Sequence, residues 1–209
     1  TSAFAVALAA FHRKIPVIHL EAGLRTFDID NPYPEEFNRT AISALADIHL
    51  CPTNTSASNV LSMVGHNSKI YVTGNTVLDN LVGLEPATNN TVLVTMHRRE
   101  NHAQMKDWFL VINHLAAENP DLEFILPLHP NPNVCKHEHL LRDVTVVDPL
   151  SYDQCIDLVR TCKTVITDSG GIQEESSFFK KKCIVCRKVT ERAEGIGTFA
   201  YICKKPSSL

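Results

Sequence analysis

The chain has 209 residues, about 1.4 times the roughly 150 residues of a typical domain, so it holds one large domain or one domain with part of another. Hydrophobic residues make up 44% and charged residues 21%, as in a globular chain that buries a core. The net charge of −3 lacks the basic footprint of proteins that bind nucleic acid or anionic membranes, and no apolar run reaches the roughly 18–20 residues of a membrane helix.

The apolar pattern of the first 84 residues predicts alternating helices and short strands. The predicted helices are 1–11, 36–48, 53–64 and 77–84, and the predicted strands are 16–20, 49–51 and 70–72. The opening stretch has neither an initiator Met nor a basic segment ahead of its apolar residues. We therefore expect it to be the middle of a helix that begins upstream, and the chain to be a fragment.

A change of composition marks the domain boundary. The stretch 85–90 is polar, contains a proline and lacks periodicity, so we predict a linker there. Beyond it, strands are predicted at 91–96, 123–127, 144–147, 164–167 and 183–186, and helices at 104–118, 152–161 and 171–179. Strands that alternate with helices indicate right-handed βαβ units, so we predict an α/β fold with parallel sheets.

Seven cysteines stand at irregular spacing along the chain. An odd number without a regular framework favours a reducing compartment over disulfides, so we expect a cytoplasmic protein. Cys183 and Cys186 form a C-x-x-C pair, but the second pair of ligands that zinc would need is absent from the sequence. Because Ile and Val separate the two thiols, we predict a buried strand, and we expect neither a metal nor a cofactor.

The strongest local signal for a ligand is Asp168-Ser-Gly-Gly-Ile-Gln-Glu-Glu175, which follows the predicted strand 164–167 and opens a helix. Two glycines allow close backbone approach, and the N–H groups and positive dipole end of the helix favour an anion, most naturally a phosphate. Glu175, one turn into the helix, could accept hydrogen bonds from ribose hydroxyls. The alternative is an ordinary glycine turn capped by Asp168 or Ser169.

Two further loops follow predicted strands at the edge where open α/β sheets bind ligands. His97-Arg-Arg-Glu-Asn101 follows strand 91–96, and Pro127-Leu-His-Pro-Asn-Pro132 follows strand 123–127. Basic side chains beside a phosphate-binding turn suit a diphosphate or a second anionic ligand. The alternative for each is a solvated loop.

Two carboxylates lie near the predicted strand and helix ends of the first part of the chain. Glu21 follows strand 16–20, and Glu35 stands fourteen residues later at the start of a helix. A pair of carboxylates suits proton abstraction and return. Acidic residues also favour the first turn of a helix, which is an alternative for Glu35 and Glu36 but not for Glu21.

Seven stretches occur in the order seen in the non-hydrolysing UDP-N-acetylglucosamine 2-epimerases, and the resemblance covers nearly the whole chain. They are Glu21-Ala-Gly-Leu-Arg-Thr26, Pro34-Glu-Glu-Phe-Asn-Arg39, Thr73-Gly-Asn-Thr76, His97-Arg-Arg-Glu-Asn101, Pro127-Leu-His-Pro-Asn-Pro132, Thr167-Asp-Ser-Gly-Gly-Ile-Gln-Glu-Glu175 and Thr190-Glu-Arg192. The resemblance implies a GT-B fold of two Rossmann-like domains. Residues 1–84 would be the C-terminal half of the first, and 91–209 the UDP-binding second without its final helix.

The reaction that the resemblance implies is a reversible, metal-free epimerisation at C2 of the sugar. A base removes the C2 proton as UDP leaves C1 by anti elimination, and the glucal intermediate is then protonated on its other face as UDP adds back, which gives UDP-N-acetylmannosamine for polysaccharide biosynthesis. The residues carried over as catalytic are Glu21, Glu35 and His97. Those carried over as substrate-binding are Leu150, Cys155, Ser169, Gly170, Gly171, Glu175 and Arg192, and as regulatory, for a second UDP-sugar, Arg98 and His129.

The chain departs from the family pattern in places. Cys155 stands where an aromatic residue is usual, and Ala193 stands where Pro usually follows Thr-Glu-Arg. A basic loop that contacts UDP and a Gly-Asp-Thr motif with a catalytically important Asp would lie upstream of Thr1. We therefore expect the fragment alone to be inactive.

The expected ligands are UDP-N-acetylglucosamine and UDP, without nucleic acid or membrane, and the full-length enzyme is expected to be a homodimer. Three alternatives stay open: an epimerase of a related UDP-diacetamido-uronic acid, a glycosyltransferase of the same architecture, and a non-catalytic UDP-binding fragment.

Overall fold

The structure, a computed structural model, describes residues 1–64 and 69–209. It divides into two compact units, Thr1–Asn80 and Leu81–Leu209. Within the described residues, no helix is long and apolar enough to cross a membrane.

The first unit contains a parallel sheet, which in the described residues has three strands in the order β1-β2-β3. A small buried cluster of Ala22, Cys51 and Val60 packs beneath it. The elements are α1 Ser2–His12, β1 Ile18–Leu20, α2 Glu35–Leu45, β2 Ile48–Cys51, α3 Asn54–Val64 and β3 Lys69–Val72, followed by a 3-10 helix at Thr76–Leu81.

The second unit is built on a parallel sheet of six strands in the order β6-β5-β4-β7-β8-β9. Its strands are β4 Thr91–Thr95, β5 Glu123–Pro127, β6 Thr145–Val147, β7 Thr164–Thr167, β8 Lys182–Val185 and β9 Ala200–Ile202. Its α-helices are α4 Met105–Glu118, α5 Pro132–Cys135, α6 Tyr152–Thr161 and α7 Gly170–Phe178, with 3-10 helices at Arg99–Gln104, Glu138–Leu140 and Pro206–Ser208.

The strand order places the ligand-binding edge. Counted from β4 as the first strand of the unit, it is 3-2-1-4-5-6, the order of the Rossmann fold. The chain direction across the sheet reverses between β4 and β7, so a crevice opens beyond their carboxyl ends. The residues that directly follow β4 and β7 are therefore the first place to look for a site.

The core of the second unit packs around its central strand. All five residues of β4 are buried, as expected for a central parallel strand covered on both faces. The helix α4 buries Met105, Trp108, Phe109 and Ile112 at helical spacing against the sheet. These side chains belong to one continuous apolar cluster.

The stretch 85–90 lies within the second unit and is hydrogen-bonded to the end of α6. The N–H groups of Ala87 and Asn89 donate to the carbonyls of Arg160 and Thr161 at 3.1 and 2.9 Å. The buried Lys181 ammonium donates to the Ala87 carbonyl and to Thr88 Oγ1. The position of the domain boundary stays a prediction.

The predicted α/β class with parallel sheets flanked by helices is confirmed. The short helix predicted over 77–84 is a 3-10 helix over 76–81, which ends three residues earlier than predicted. Gly83, with a φ of +88°, lies in the left-handed region that ends helices. The short strand β9 and the 3-10 helix at Arg99–Gln104 carry too few periodic residues to be predicted.

Gly23 is required by both conformation and space. Its φ is +85°, and a Cβ there would lie 1.9 Å from the Ser56 carbonyl oxygen. We expect Gly23→Ala to destabilise the first unit by about 2–5 kcal/mol, from strain and overpacking together. Urea unfolding followed by circular dichroism measures this.

Gly74→Ala is the matched control. Gly74 has a φ of +79°, but a Cβ there would meet no described atom within 4 Å. It should therefore lose only the roughly 1–2 kcal/mol of left-handed strain. Equal losses in the two variants would contradict the close approach of Gly23 to α3.

Candidate functional site

The Asp168 carboxylate joins the carboxyl ends of β4 and β7. Asp168 directly follows β7 and is fully buried. Its oxygens accept hydrogen bonds from the backbone N–H of His97 at 3.0 and 3.1 Å and of Arg98 at 2.8 Å. They also accept one from Asn101 Nδ2 at 3.0 Å, and the same amide donates to the Cys186 carbonyl just after β8. One carboxylate thus fixes the loop 97–101.

The His97 imidazole lies over this carboxylate. Its Nδ1 is 3.7 Å from Asp168 Oδ1, and its ring stacks on that of His129 with centroids 5.3 Å apart. Burial lowers the pKa of His97 below its usual value and outweighs the raising effect of Asp168, while Arg98 and other nearby histidines lower it further. A neutral imidazole is therefore favoured near pH 7, in a position to gain a proton when an anion approaches.

The predicted glycine turn forms the start of α7, with Ser169 as the residue before the helix. The Ser169 N–H donates to Thr167 Oγ1 at 2.9 Å. The next N–H groups, of Gly170 and Gly171, belong to the first turn of α7, which has no preceding helical carbonyls to bind. They lie at the positive end of the helix dipole, so the turn has the backbone geometry of an anion site.

Arg192 lies against this turn. A Cβ at Gly170 would be 2.3 Å from Arg192 Nη1, whereas at Gly171 its nearest neighbour, Ser169 Oγ, would be 3.9 Å away. The Arg192 guanidinium is 3.0 Å from Glu174 Oε1 and 2.8 Å from Glu191 Oε1. The absence of a side chain at Gly170 therefore lets a cation approach the helix start.

A buried arginine holds the loop that carries Arg192. Arg187 is 1% exposed, and its Nε and Nη1 pair with Glu100 Oε1 at 2.8 Å and Glu191 Oε2 at 2.9 Å. These two carboxylates raise the pKa of the guanidinium against the effect of burial. The pairing ties the segment after β8 to the 3-10 helix after β4.

Glu175, one turn into α7, is 5% exposed. Burial raises its pKa, and a hydrogen bond from Tyr152 at the start of α6 opposes this effect. Cys155, on the same helix, is half-buried, and burial together with Glu175 raises the pKa of its thiol to about 11. Leu150 lines an open pocket of about 510 Å³ with Ile125, Val147, Asp153, Gln154, Asp157 and Leu158, and neither Glu175 nor Cys155 is among its lining residues.

In the first unit, Glu21 directly follows β1 and is exposed. Its φ of +58° is left-handed, which is unusual for glutamate, and the next N–H, of Ala22, donates to the Leu50 carbonyl at 3.0 Å. Nearby, buried Arg25 donates to Ser43 Oγ at 2.5 Å and to the carbonyls of Leu24 and Arg39. The backbone beside Glu21 is thus fixed by several hydrogen bonds.

Glu35 and Glu36 begin α2 and differ in their surroundings. Glu35 is exposed, whereas Glu36 is 3% exposed and accepts hydrogen bonds from the N–H groups of Thr26 and Phe27, both at 3.2 Å. Glu36 therefore has a structural role that the sequence did not reveal. Glu21 and Glu35 belong to the first unit, and the other predicted site residues belong to the second.

Three residues of the second unit were missed as organisers of the site: Asp168, Asn101 and Arg187. Asp168 and Asn101 lie inside two of the stretches that the chain shares with the family, and this position was the sequence signal that could have identified them. Cys183 and Cys186 are buried, as predicted, and burial raises the pKa of both thiols. In residues 1–64 and 69–209, no group of three or more His, Cys, Asp or Glu side chains could hold a metal ion.

The strand order defines a Rossmann-type α/β protein, with the glycine turn and a histidine side by side at the point where the order reverses. A family model described as UDP-N-acetylglucosamine 2-epimerase matches residues 1–207. The chain belongs to this family. It is 40% identical to the UDP-N-acetylglucosamine 2-epimerase of Campylobacter jejuni over 94% of its own length and 58% of that protein's.

Solved structures show the same fold. The enzyme from Neisseria meningitidis, bound to UDP-GlcNAc, aligns with a TM-score of 0.88 and 36% identity over 98% of this chain and 62% of that one. A complex of S. aureus MnaA with UDP aligns with a TM-score of 0.84 and 34% identity over 98% of this chain and 60% of that one. The chain thus spans about three-fifths of the length of these relatives.

The Arg187 pairing yields a stability prediction. Arg187→Met removes the cation between Glu100 and the fully buried side chain of Glu191, so we expect a loss of about 3–5 kcal/mol in unfolding free energy. The double variant with Glu191→Gln should recover part of this loss. Urea unfolding measures both.

Lys188→Met makes the same charge change at the exposed neighbouring position and should stay within about 0.5 kcal/mol of the parent. If Arg187→Met were equally mild, Arg187 would not be what holds this loop.

Proposed function

We propose that this chain is the UDP-binding part of a UDP-N-acetylglucosamine 2-epimerase, and that the whole protein interconverts UDP-N-acetylglucosamine and UDP-N-acetylmannosamine. The observation that carries the proposal is the glycine turn at the start of α7, with Arg192 and His97 beside it, at the reversal point of a Rossmann sheet. Two of the similar structures hold UDP-GlcNAc or UDP.

The diphosphate of UDP fits the start of α7. Ser169, Gly170 and Gly171 present backbone to it, and the helix dipole favours its negative charge. Arg192 supplies a guanidinium at the same place, and its carboxylate partners Glu174 and Glu191 keep that side chain oriented. A fork of N–H donors is well suited to phosphate oxygens.

The nucleoside would lie along α6 and α7. Glu175 is a carboxylate that can accept hydrogen bonds from both ribose hydroxyls, and its bond with Tyr152 fixes its direction. Leu150 and Cys155 would border the uracil with apolar surface. Cys155 is too small to give the stacking area of an aromatic residue, so the base would depend more on its neighbours.

The chemical steps of the proposed reaction would use Glu21, Glu35 and His97. Glu21 and Glu35 would remove and return the C2 proton on opposite faces of the sugar, while the C1–O bond breaks and the bond pair leaves with UDP. Reversal of these steps on the other face gives the epimer. His97 would act at the leaving diphosphate, because an imidazole kept neutral by burial gains affinity for a proton as negative charge develops beside it.

The remaining assignments are proposals of the same kind. Arg98 and His129 would serve a second UDP-sugar that regulates the enzyme, a role carried over from the family resemblance, and the His129 ring stacks on that of His97. A cytoplasmic location is supported by seven cysteines that are all free thiols. The homodimer and the absence of a nucleic-acid partner rest on the family resemblance and on the net charge of −3.

The reaction is tested on a protein of the relatives' full length that contains this chain. Incubation with UDP-N-acetylglucosamine, followed by NMR of the sugar C2 proton in D2O, should show UDP-N-acetylmannosamine with deuterium at C2. Residues 1–209 alone should bind UDP weakly and give no product. UDP release that required an acceptor would identify a glycosyltransferase instead, and turnover of only a UDP-diacetamido-uronic acid would change the substrate.

Binding and chemistry should separate in two glutamate variants. Glu175→Gln should raise the Kd for UDP of the 209-residue chain by about tenfold to a hundredfold, because it weakens a charged hydrogen bond to ribose. Glu35→Gln should leave that Kd unchanged and stop turnover of the longer protein. Calorimetry beside the rate assay checks both, and equal losses of affinity would refute the division of roles.

A further inference from the structure

Asp168 combines a negative charge with complete burial. Its carboxylate accepts hydrogen bonds from N–H groups of three different residues in the loop after β4. A buried carboxylate is costly unless it is well hydrogen-bonded, and an asparagine of the same shape would cover the same space. Shape alone therefore does not explain why this residue is a charged aspartate and not an asparagine.

The reason lies in the geometry of His97. The backbone N–H of His97 donates to Asp168, and Nδ1 of the same residue lies 3.7 Å from Asp168 Oδ1. A hydrogen bond between these two atoms requires them to approach to about 3.2 Å or less. A donor at Nδ1 leaves Nε2 as the free acceptor nitrogen, which is how carboxylates select one imidazole tautomer.

We propose that Asp168 is the positioning residue of His97: its carboxylate fixes the 97–101 loop, holds the proton of the neutral imidazole on Nδ1, and so presents Nε2 to the bound ligand. The identity of that ligand as UDP rests on the proposed function, whereas the assignment of the proton to Nδ1 does not. Asp168 would touch no substrate itself, because its oxygens face N–H donors of the protein.

The charges around His97 come from several elements. Arg98 and His102 lie on its own loop, His129 stacks on it from the loop after β5, and Asp168 approaches from the end of β7. Arg98, His102 and His129 disfavour the imidazolium form, and Asp168 favours it. Burial of the ring also lowers the pKa of His97, so removing the Asp168 charge should shift the titration of His97 to lower pH as long as the loop stays in place.

The first measurement needs no variant. In the 209-residue chain, ¹⁵N-edited NMR of the histidine rings, with His97→Gln to assign the His97 signals, reports which nitrogen carries the proton above the pKa. The proposal expects the Nδ1–H form to dominate. Dominance of the Nε2–H form would overturn it, even if UDP binds as proposed.

The second measurement uses Asp168→Asn, with Asp121→Asn as the control. Asp121 is exposed and precedes β5, so it makes the same charge change at the other end of the sheet. Asp168→Asn should lower the titration midpoint of His97, mix its tautomers and raise the Kd for UDP by about tenfold. Asp121→Asn should change none of these.

The outcomes separate the two proposals. If the tautomer and titration behave as expected but UDP does not bind the parent chain, the proposed function fails and the positioning role stands. A folded Asp168→Asn with unchanged His97 titration and tautomer would show that Asp168 is merely structural. If Asp168→Asn does not fold, the tautomer in the parent chain still decides.

Discussion

The second unit depends on one buried carboxylate, which lies where the order of the strands across the sheet reverses, between β4 and β7. Asp168 continues β7 through a hydrogen bond from its own N–H to the Thr95 carbonyl at 3.1 Å, and its side chain then gathers the loop that leaves β4. Through Asn101 the same contact reaches the end of β8. Three strand ends that would otherwise diverge into separate loops are therefore fixed relative to one another, and the histidine and the glycine turn receive defined positions.

Near this point, positive and negative side chains alternate along a series of ion pairs. The glycine turn at the start of α7 is lined by Arg192, which pairs with Glu174 and Glu191. Glu191 also pairs with Arg187, and Arg187 pairs in addition with Glu100. Such a chain of pairs adds little to stability compared with an apolar core, because desolvation offsets most of the attraction. The effect of these pairs is on orientation. They hold a guanidinium near the helix start without leaving a net positive charge that would attract anions nonspecifically.

Local signals were predictable from the sequence, and long-range pairings were not. The turn at Gly170 could be recognised because strand, glycines and helix are consecutive in the chain. Asp168 and Asn101 are 67 positions apart, and Arg187 and Glu100 are 87 positions apart. The sequence around one residue of each pair therefore does not identify its partner. Glu35 and Glu36 show the same limit at short range, since both suit a helix start and only packing buries Glu36. Most strands and helices followed from apolar periodicity, and the misses were elements of three to six residues, too short for a period.

The left-handed backbone of Glu21 has a consequence for the history of the chain. A glutamate at a φ of +58° stores strain of about 1–3 kcal/mol that glycine or asparagine would relieve. Selection for stability alone would therefore replace Glu21, whereas the proton transfer proposed for it requires the carboxylate. The two demands oppose each other at position 21, and a library screened only for folded protein would accumulate more stable variants that lack the proposed proton-transfer group.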